Sequence, residues 1–275
     1  MARQWTAQEK LDVTIATQCT SNNLNYVVPL SESWQGPLSV SVFTYDDDFL
    51  YTIRSILYYR LCFSSVNKYV TFHISFPKKH SPVDLSSLKS AAEENFTCSK
   101  PPEAGSNSSM RNYVIGKGIE YPINMLRTLA MKNVLTDYVL NLDIDLSPSA
   151  NLRSSFVKYV SSKSSAFSNS KKVAYVVPTF EMRKGMSAPQ NRLDLLKAWG
   201  RDEVRAFHVK TCIVCQKPTD YIRWVMLPLV DEVSVAYTVE FRHKYEPYFI
   251  ARTDSLPRFD ERFKQFAPDR LTQVN

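Results

Sequence analysis

Glycine is scarce, at 6 of 275 residues, which leaves little for the Gly-rich loops that cradle nucleotide phosphates. The one close pair, Gly116-Lys117-Gly118, fits neither the dinucleotide fingerprint nor the P-loop. No apolar run approaches the roughly 18 residues of a membrane-spanning helix, and the start Met1-Ala-Arg-Gln-Trp5 has no signal-peptide core. Cysteines number only 5 (Cys19, Cys62, Cys98, Cys212 and Cys215), too few and too scattered for a disulfide scaffold, and one must stay unpaired within a monomer. Cys212-Ile-Val-Cys215 has no second pair at zinc spacing, so it reads as a local disulfide or as buried thiols. The four histidines, His73, His80, His208 and His243, are dispersed without helical i, i+4 pairing and form no metal constellation.

What is present is the composition of a soluble globular protein, 44% hydrophobic and 22% charged, with 15 prolines, 15 tyrosines and 15 phenylalanines. A chain of this length buries about three quarters of the surface exposed on unfolding, so a metal is not required merely to hold a core. Any metal would serve chemistry. The balance of 34 Lys and Arg against 27 Asp and Glu gives a net charge of +7 and favours polyanionic partners: phosphates, acidic glycans or nucleic acid. Nucleic acid is set aside, because no binding motif is present and the aromatic residues are dispersed rather than interleaved with Lys and Arg. Two sequons, Asn95-Phe96-Thr97 and Asn107-Ser108-Ser109, flank a Ser/Pro/Gly-rich stretch expected to be a surface loop.

Strands alternate with helices from the start, the pattern of an α/β fold without internal repeats. Leu11 to Gln18, Leu38 to Tyr45 and Tyr69 to Phe76 read as strands, Asn22 to Trp34 and Phe49 to Leu61 as helices. After a polar segment from Pro77 to Ser109, Pro122 opens a helix whose stripe is Met125, Leu126, Leu129, Ala130 and Val134. That helix feeds a strand from Tyr138 to Leu142, which runs directly into Asp143-Ile144-Asp145. A further apolar strand is predicted from Val173 to Phe180, with Glu181 at its end.

In extended chain residues i and i+2 point the same way, so Asp143 and Asp145 are expected to project together from a strand end. Two hard carboxylates there can hold Mn²⁺ or Mg²⁺ with positions open for substrate phosphates. They can equally cap a helix starting near Asn151, and the spacing leaves both readings open. Asp46-Asp47-Asp48, which also follows a strand, fits helix capping better.

Eight blocks in order over nearly the whole chain carry a resemblance. They are Asp12-Val-Thr-Ile-Ala-Thr-Gln18 with Trp34-Gln-Gly-Pro-Leu-Ser-Val40, Tyr121-Pro-Ile-Asn-Met-Leu-Arg127, Leu142-Asp-Ile-Asp-Leu146, Val176-Val-Pro-Thr-Phe-Glu181, Pro218-Thr-Asp-Tyr-Ile-Arg-Trp224, Glu246-Pro-Tyr248 and Phe259-Asp-Glu-Arg-Phe263. With them the chain resembles the glucuronyltransferases of glycosyltransferase family 49, which include the second catalytic domain of the LARGE enzymes and act on α-dystroglycan. The resemblance implies a GT-A fold over a single domain, residues 1–275, and an enzyme of the Golgi lumen. It further implies Mn²⁺ (or Mg²⁺) and transfer of glucuronic acid from UDP-glucuronic acid, with inversion, to a xylose-ended glycan acceptor on an O-mannosylated glycoprotein.

On that resemblance Asp143 and Asp145 match the family's DxD metal motif, and Tyr121, Asn124 and Arg127 fall near the nucleotide-sugar, although Tyr121 and Asn124 suit the start of a helix as well. Asp260, with Glu261 beside it, competes with Glu181 for the role of base, while Arg258 or Arg262 can neutralise the acids. The donor's uronate needs a cation, for which Arg127, Arg183, Arg223 and Arg252 occupy or adjoin the matching blocks. Trp224, Tyr221 and Tyr248 suit either ring stacking on sugar or the core.

The chain also departs from the family pattern. It shows no cytosolic tail or membrane anchor, so membrane association would need an anchor outside this chain. It stops at Asn275, before the family's further metal-binding histidine, and has Ala267 and Pro268 where Gly and an aromatic are usual. The expectation is a domain incomplete at its C-terminus, with weak metal binding and impaired turnover, or a non-catalytic glycan-binding relative. Either is compatible with a homo- or hetero-oligomer.

Overall fold

β-Branched and small residues dominate Val13–Thr20, a composition that suits a strand buried on both faces. This segment is β1 in the computed structural model, which describes residues 10–46, 48–81, 97–103, 118–163, 172–230 and 232–264. Both sequon asparagines, Asn95 and Asn107, lie outside the described residues, as do Gly116, Lys117, Asp47, Ala267 and Pro268. β1 starts two residues later than the sequence pattern predicts, because Asp12 is an anchor and not part of the ladder. Its Oδ1 accepts from the Val13 N–H at 2.7 Å and from Arg153 Nε at 2.7 Å.

β2 (Leu38–Phe43) and β3 (Val70–Ser75) extend the sheet in parallel on one side of β1, and β4 (Tyr138–Asn141) pairs in parallel on the other. The predicted helix over residues 22–34 divides into a 3₁₀ segment, Ser21–Tyr26, and α1 (Val27–Trp34). Pro29 is the reason: without an N–H it is tolerated in a first helical turn but not deeper in a continuous helix. α2 (Asp48–Cys62) begins on an acidic residue, which complements the helix dipole, and is followed by an unanticipated α3 (Ser64–Tyr69). Asp48 Oδ2 also accepts from Ser21 Oγ at 2.6 Å, and Asp46 binds His80 Nδ1 at 3.0 Å.

α4 (Ile123–Lys132) crosses β1 and β2. Leu126 packs with Phe43, Met125 and Tyr121, while Ala130 sits against Ala16 and Val139. After β4 the chain passes through α5 (Leu152–Ser162) to β5 (Ala174–Val176), and later β8 (Phe249–Arg252) enters between β4 and β5, antiparallel to both. The sheet order is β3-β2-β1-β4-β8-β5.

The single strand predicted from Val173 to Phe180 is corrected by the structure. Pro178 cannot donate to a ladder, so the chain leaves the main sheet there and resumes as β6 (Phe180–Met182). β6 pairs with β7 (Val204–Ala206) in a separate two-stranded sheet, which sets Glu181 mid-strand opposite Arg205 rather than at a strand end. α6 (Arg192–Gly200) lies between β6 and β7 in the chain, and α7 (Ile213–Gln216) and α8 (Tyr221–Met226) follow. Phe180 gathers Trp199, Tyr221 and Trp224 around it with ring centroids 5.9, 5.2 and 5.3 Å away.

Two long-range ties hold the periphery. Arg153 of α5 grips the buried Asp12 through two bonds, Nε at 2.7 Å and Nη2 at 2.6 Å, and donates from Nη1 to the Gln35 carbonyl at 2.8 Å. A Cβ at Gly36 would run into Arg153 Cδ and Nε, so a side chain there would push the guanidinium off Asp12. Cys62 at the end of α2 is disulfide-bonded to Cys98, a pairing the scattered cysteines did not disclose; Cys212 joins Cys215, and Cys19 is free and buried.

Arg153→Ala strands the Asp12 carboxylate without its cation, at a cost of about 3 kcal/mol or a fall of roughly 6–12 °C in Tm, with Gly36→Ala shifting Tm the same way. Unchanged thermal melts would exclude the clamp. The Cys62–Cys98 bridge closes a separation of 36 residues, worth about 4 kcal/mol by chain entropy. A Cys62→Ser/Cys98→Ser pair is therefore expected to lower the urea midpoint clearly, and equal midpoints would count against the bridge.

Candidate functional site

In an open α/β sheet, ligands sit beyond the carboxyl ends of the strands where the strand order reverses direction. Here that point lies between β1, whose successors β2 and β3 run one way, and β4 on the other side. The carboxyl end of β1 offers Gln18, whose side-chain oxygen accepts from the Tyr121 hydroxyl. Tyr121 is fixed edge-on against Phe43 with ring centroids 5.6 Å apart.

The carboxyl end of β4 delivers Asp143 and Asp145, but not in extended chain. The strand stops at Asn141, and the Leu146 N–H closes a turn on the Asp143 carbonyl at 3.1 Å. The pair is thus presented by a turn around buried Ile144, with Asp143 half-buried and Asp145 exposed. The helix that follows, α5, has Asn151 as its N-cap, in left-handed backbone, with no cap bond from the Asn151 side chain.

Asn124 and Arg127, three residues apart on α4, share one face of the helix, and both are buried, at 0% and 3% exposure. Arg127 Nη2 reaches Asp143 Oδ1 at 3.3 Å, its Nη1 reaches Asn124 Oδ1 at 3.3 Å, and its guanidinium lies 5.4 Å from the Phe259 ring centroid. Asn124 Nδ2 in turn donates to the Asp260 carbonyl at 3.0 Å. The Tyr248 hydroxyl donates to Asp143 Oδ2 at 2.6 Å. One carboxylate therefore gathers a helix that precedes it and a strand that follows it, and Tyr248 serves there through its hydroxyl.

The candidate bases differ in how they relate to this group. Asp260 is linked by its backbone to Asn124, and its carboxylate is clasped by Arg262, with Nε 2.9 Å from Oδ1 and Nη2 2.5 Å from Oδ2. The side-chain and backbone hydrogen bonds from Arg262 hold the Asp260 carboxyl down at about 2. Glu181 accepts from the backbone of His208, the residue after Phe207, whose ring centroid is 5.5 Å from that of Tyr248. Burial raises the Glu181 carboxyl, but the Arg205 bond at 2.8 Å and the His208 N–H at 2.9 Å outweigh it and leave the group below the usual carboxylate range. Glu261 is exposed.

The remaining candidates sit in other surroundings. Trp224 belongs to the aromatic cluster around Phe180 and carries Arg192 4.7 Å from its ring centroid, while Arg223 stacks 4.3 Å from the Tyr237 ring centroid. Arg183 donates to the Asp202 carbonyl at 3.3 Å, and Arg252 pairs with Asp254 at 2.7 Å. Among the described residues no group of three or more His, Cys, Asp and Glu forms a closed metal site. Asp143 and Asp145 are the two hard carboxylates that could hold a divalent ion here, the donor type such ions take.

A mostly parallel sheet flanked by helices, with an Asp-x-Asp turn at its switch point, defines a glycosyltransferase fold of the GT-A type. The chain belongs to the family of glycosyl-transferases for dystroglycan, whose model matches residues 12–275. Human beta-1,4-glucuronyltransferase 1 is 32% identical over 98% of this chain and 64% of its own length. Human xylosyl- and glucuronyltransferase LARGE1 is 25% identical over 98% of this chain and 29% of its own. The Dictyostelium discoideum glycosyltransferase-like protein gnt14 is 27% identical over 96% and 34%. The chain thus spans under two thirds of the length of these relatives.

The Arg262 clasp is testable by pH. A depressed carboxyl contributes stability that is present above the unfolded-state value near 4 and is lost as pH falls through about 2. Carbon-13 NMR should show Asp260 titrating near 2, and Arg262→Gln should return it towards about 4. An unchanged titration in the variant would exclude the Arg262 guanidinium as the cause.

Proposed function

We propose that the chain is an inverting glucuronyltransferase that moves glucuronic acid from UDP-glucuronic acid to a xylose-ended glycan on an O-mannosylated glycoprotein such as α-dystroglycan. The observation that carries this reading is the Asp143-Ile144-Asp145 turn at the carboxyl end of β4, beside the end of β1. The family match over residues 12–275 and the glucuronyltransferase names of the relatives support it.

Inversion at the sugar carbon requires in-line attack by an acceptor hydroxyl, a group that removes its proton, and neutralisation of the departing diphosphate. Asp145, exposed, and Asp143, held by Arg127 and Tyr248, are the residues that would hold Mn²⁺ or Mg²⁺; the ion supplies charge to the leaving diphosphate. Tyr121, at the end of β1, stands where the nucleotide side of the donor would bind, with Gln18 orienting its hydroxyl. Asp260 is the favoured proton acceptor. Its backbone is tied to Asn124 beside Arg127, and its clasp is a highly exposed arginine, 88% accessible, that can swing away. Glu181 has both oxygens engaged inside the small sheet and acts there as a fastener between β6 and β7.

Two disulfides are in keeping with an oxidising compartment, which supports the Golgi lumen as the place of action. No described helix is long and apolar enough to cross a membrane. One observation favours a second reading, a relative that binds donor without turning it over: a carboxyl held near 2 is a poor base at neutral pH.

Calorimetry with UDP-glucuronic acid tests both readings. Mn²⁺-dependent binding that Asp145→Asn abolishes is expected, and glucuronic acid transfer to a xylose-ended acceptor then separates enzyme from binder. Folded protein that binds no donor with Mn²⁺ present would overturn the proposal.

A further inference from the structure

We infer that Tyr248 is a positioning residue for the Asp143 carboxylate, holding it by a hydroxyl hydrogen bond in the orientation that metal and diphosphate require. The inference deepens the proposed donor site and rests on it.

The placement follows from strand register. β8 runs antiparallel to β4 with Leu140 opposite Ile250 and Val139 opposite Ala251. Continuing that alternation past the strand ends brings Tyr248 beside Leu142, one residue from Asp143. Its hydroxyl then meets Asp143 Oδ2 at 2.6 Å, while Arg127 takes Oδ1 at 3.3 Å. Two donors on two oxygens leave the carboxylate little freedom to rotate, and a bond to an ionised acceptor is among the stronger kinds.

Tyr248 is itself rigidly placed. It is 3% exposed, its ring meets Phe207 edge-on, and its carbonyl accepts from the Val177 N–H at 2.8 Å. The residues just before it are bound to the Cys212–Cys215 turn. The Glu246 N–H donates to the Cys215 carbonyl at 2.9 Å, and Gln216 Nε2 donates to the Glu246 carbonyl at 2.7 Å. The disulfide-closed turn thus anchors the segment that carries the hydroxyl.

The test titrates Mn²⁺ by electron paramagnetic resonance in the presence of UDP. Tyr248→Phe keeps the ring and its packing, and it is expected to weaken Mn²⁺ binding about tenfold, the loss typical of one charge-assisted bond. In an Asp143→Asn background the same change is expected to add nothing. Tyr245→Phe is the control: it deletes a neighbouring buried hydroxyl, bonded to Thr219 at 2.9 Å, and should lower Tm without altering Mn²⁺ binding. Wild-type affinity in Tyr248→Phe, or a loss that persists in the Asp143→Asn background, would overturn the inference while Asp145→Asn still reports on the donor site. A Tyr248→Phe protein that fails to fold would make the hydroxyl structural and overturn it as well. Absence of Mn²⁺ binding by wild type would remove the donor site and this inference together.

Discussion

The carboxylate of Asp143 is the point through which the rest of the site is assembled. Arg127, almost fully buried, has an anionic partner there, and without one its burial would cost several kcal/mol. Tyr248 approaches from just before β8, a strand that joins the sheet more than a hundred residues later in the chain. Asn124 extends the group to the backbone of Asp260. Four separate stretches of chain therefore converge only when β4 and β8 are in register and α4 is docked, so the site forms with the fold rather than after it.

This arrangement divides labour between the two aspartates. Asp143 is half-buried and held at both oxygens, which makes it a rigid, oriented group. Asp145 lies on the exposed side of the same turn, facing solvent. The acids considered for proton transfer differ in a comparable way. Glu181 is locked into a two-stranded ladder by Arg205 and the His208 N–H, whereas the clasp on Asp260 comes from a surface arginine that solvent can replace.

The sequence made the general layout legible wherever one residue type had only one place to go. The apolar run ending in two carboxylates located the end of β4, and the stripe through Leu126 and Ala130 located the buried side of α4. It did not disclose the turn at Asp143, because Asp-x-Asp looks alike in strand and turn and the closing bond comes from Leu146. Nor did it disclose the burial of Arg127, since an arginine on a helix reads as surface until its partner is in view. The Cys62–Cys98 bond was hidden by its long separation, and the break at Pro178 was passed over although proline inside an apolar run forbids a continuous interior strand. Tyr248 read as a stacking or core aromatic because a hydroxyl's partner cannot be inferred from the residues around it.

That break at Pro178 has a bearing on how the protein behaves at high concentration. β5 stands at one margin of the main sheet and is only 3 residues long, and proline follows almost at once with no N–H to offer. A margin so short gives a neighbouring chain little ladder to copy, one of the ways natural sheets avoid edge-to-edge aggregation. The chain is instead turned into a separate small sheet whose aromatic residues pack on one another, so the interruption that ends the strand also blunts this margin of the main sheet.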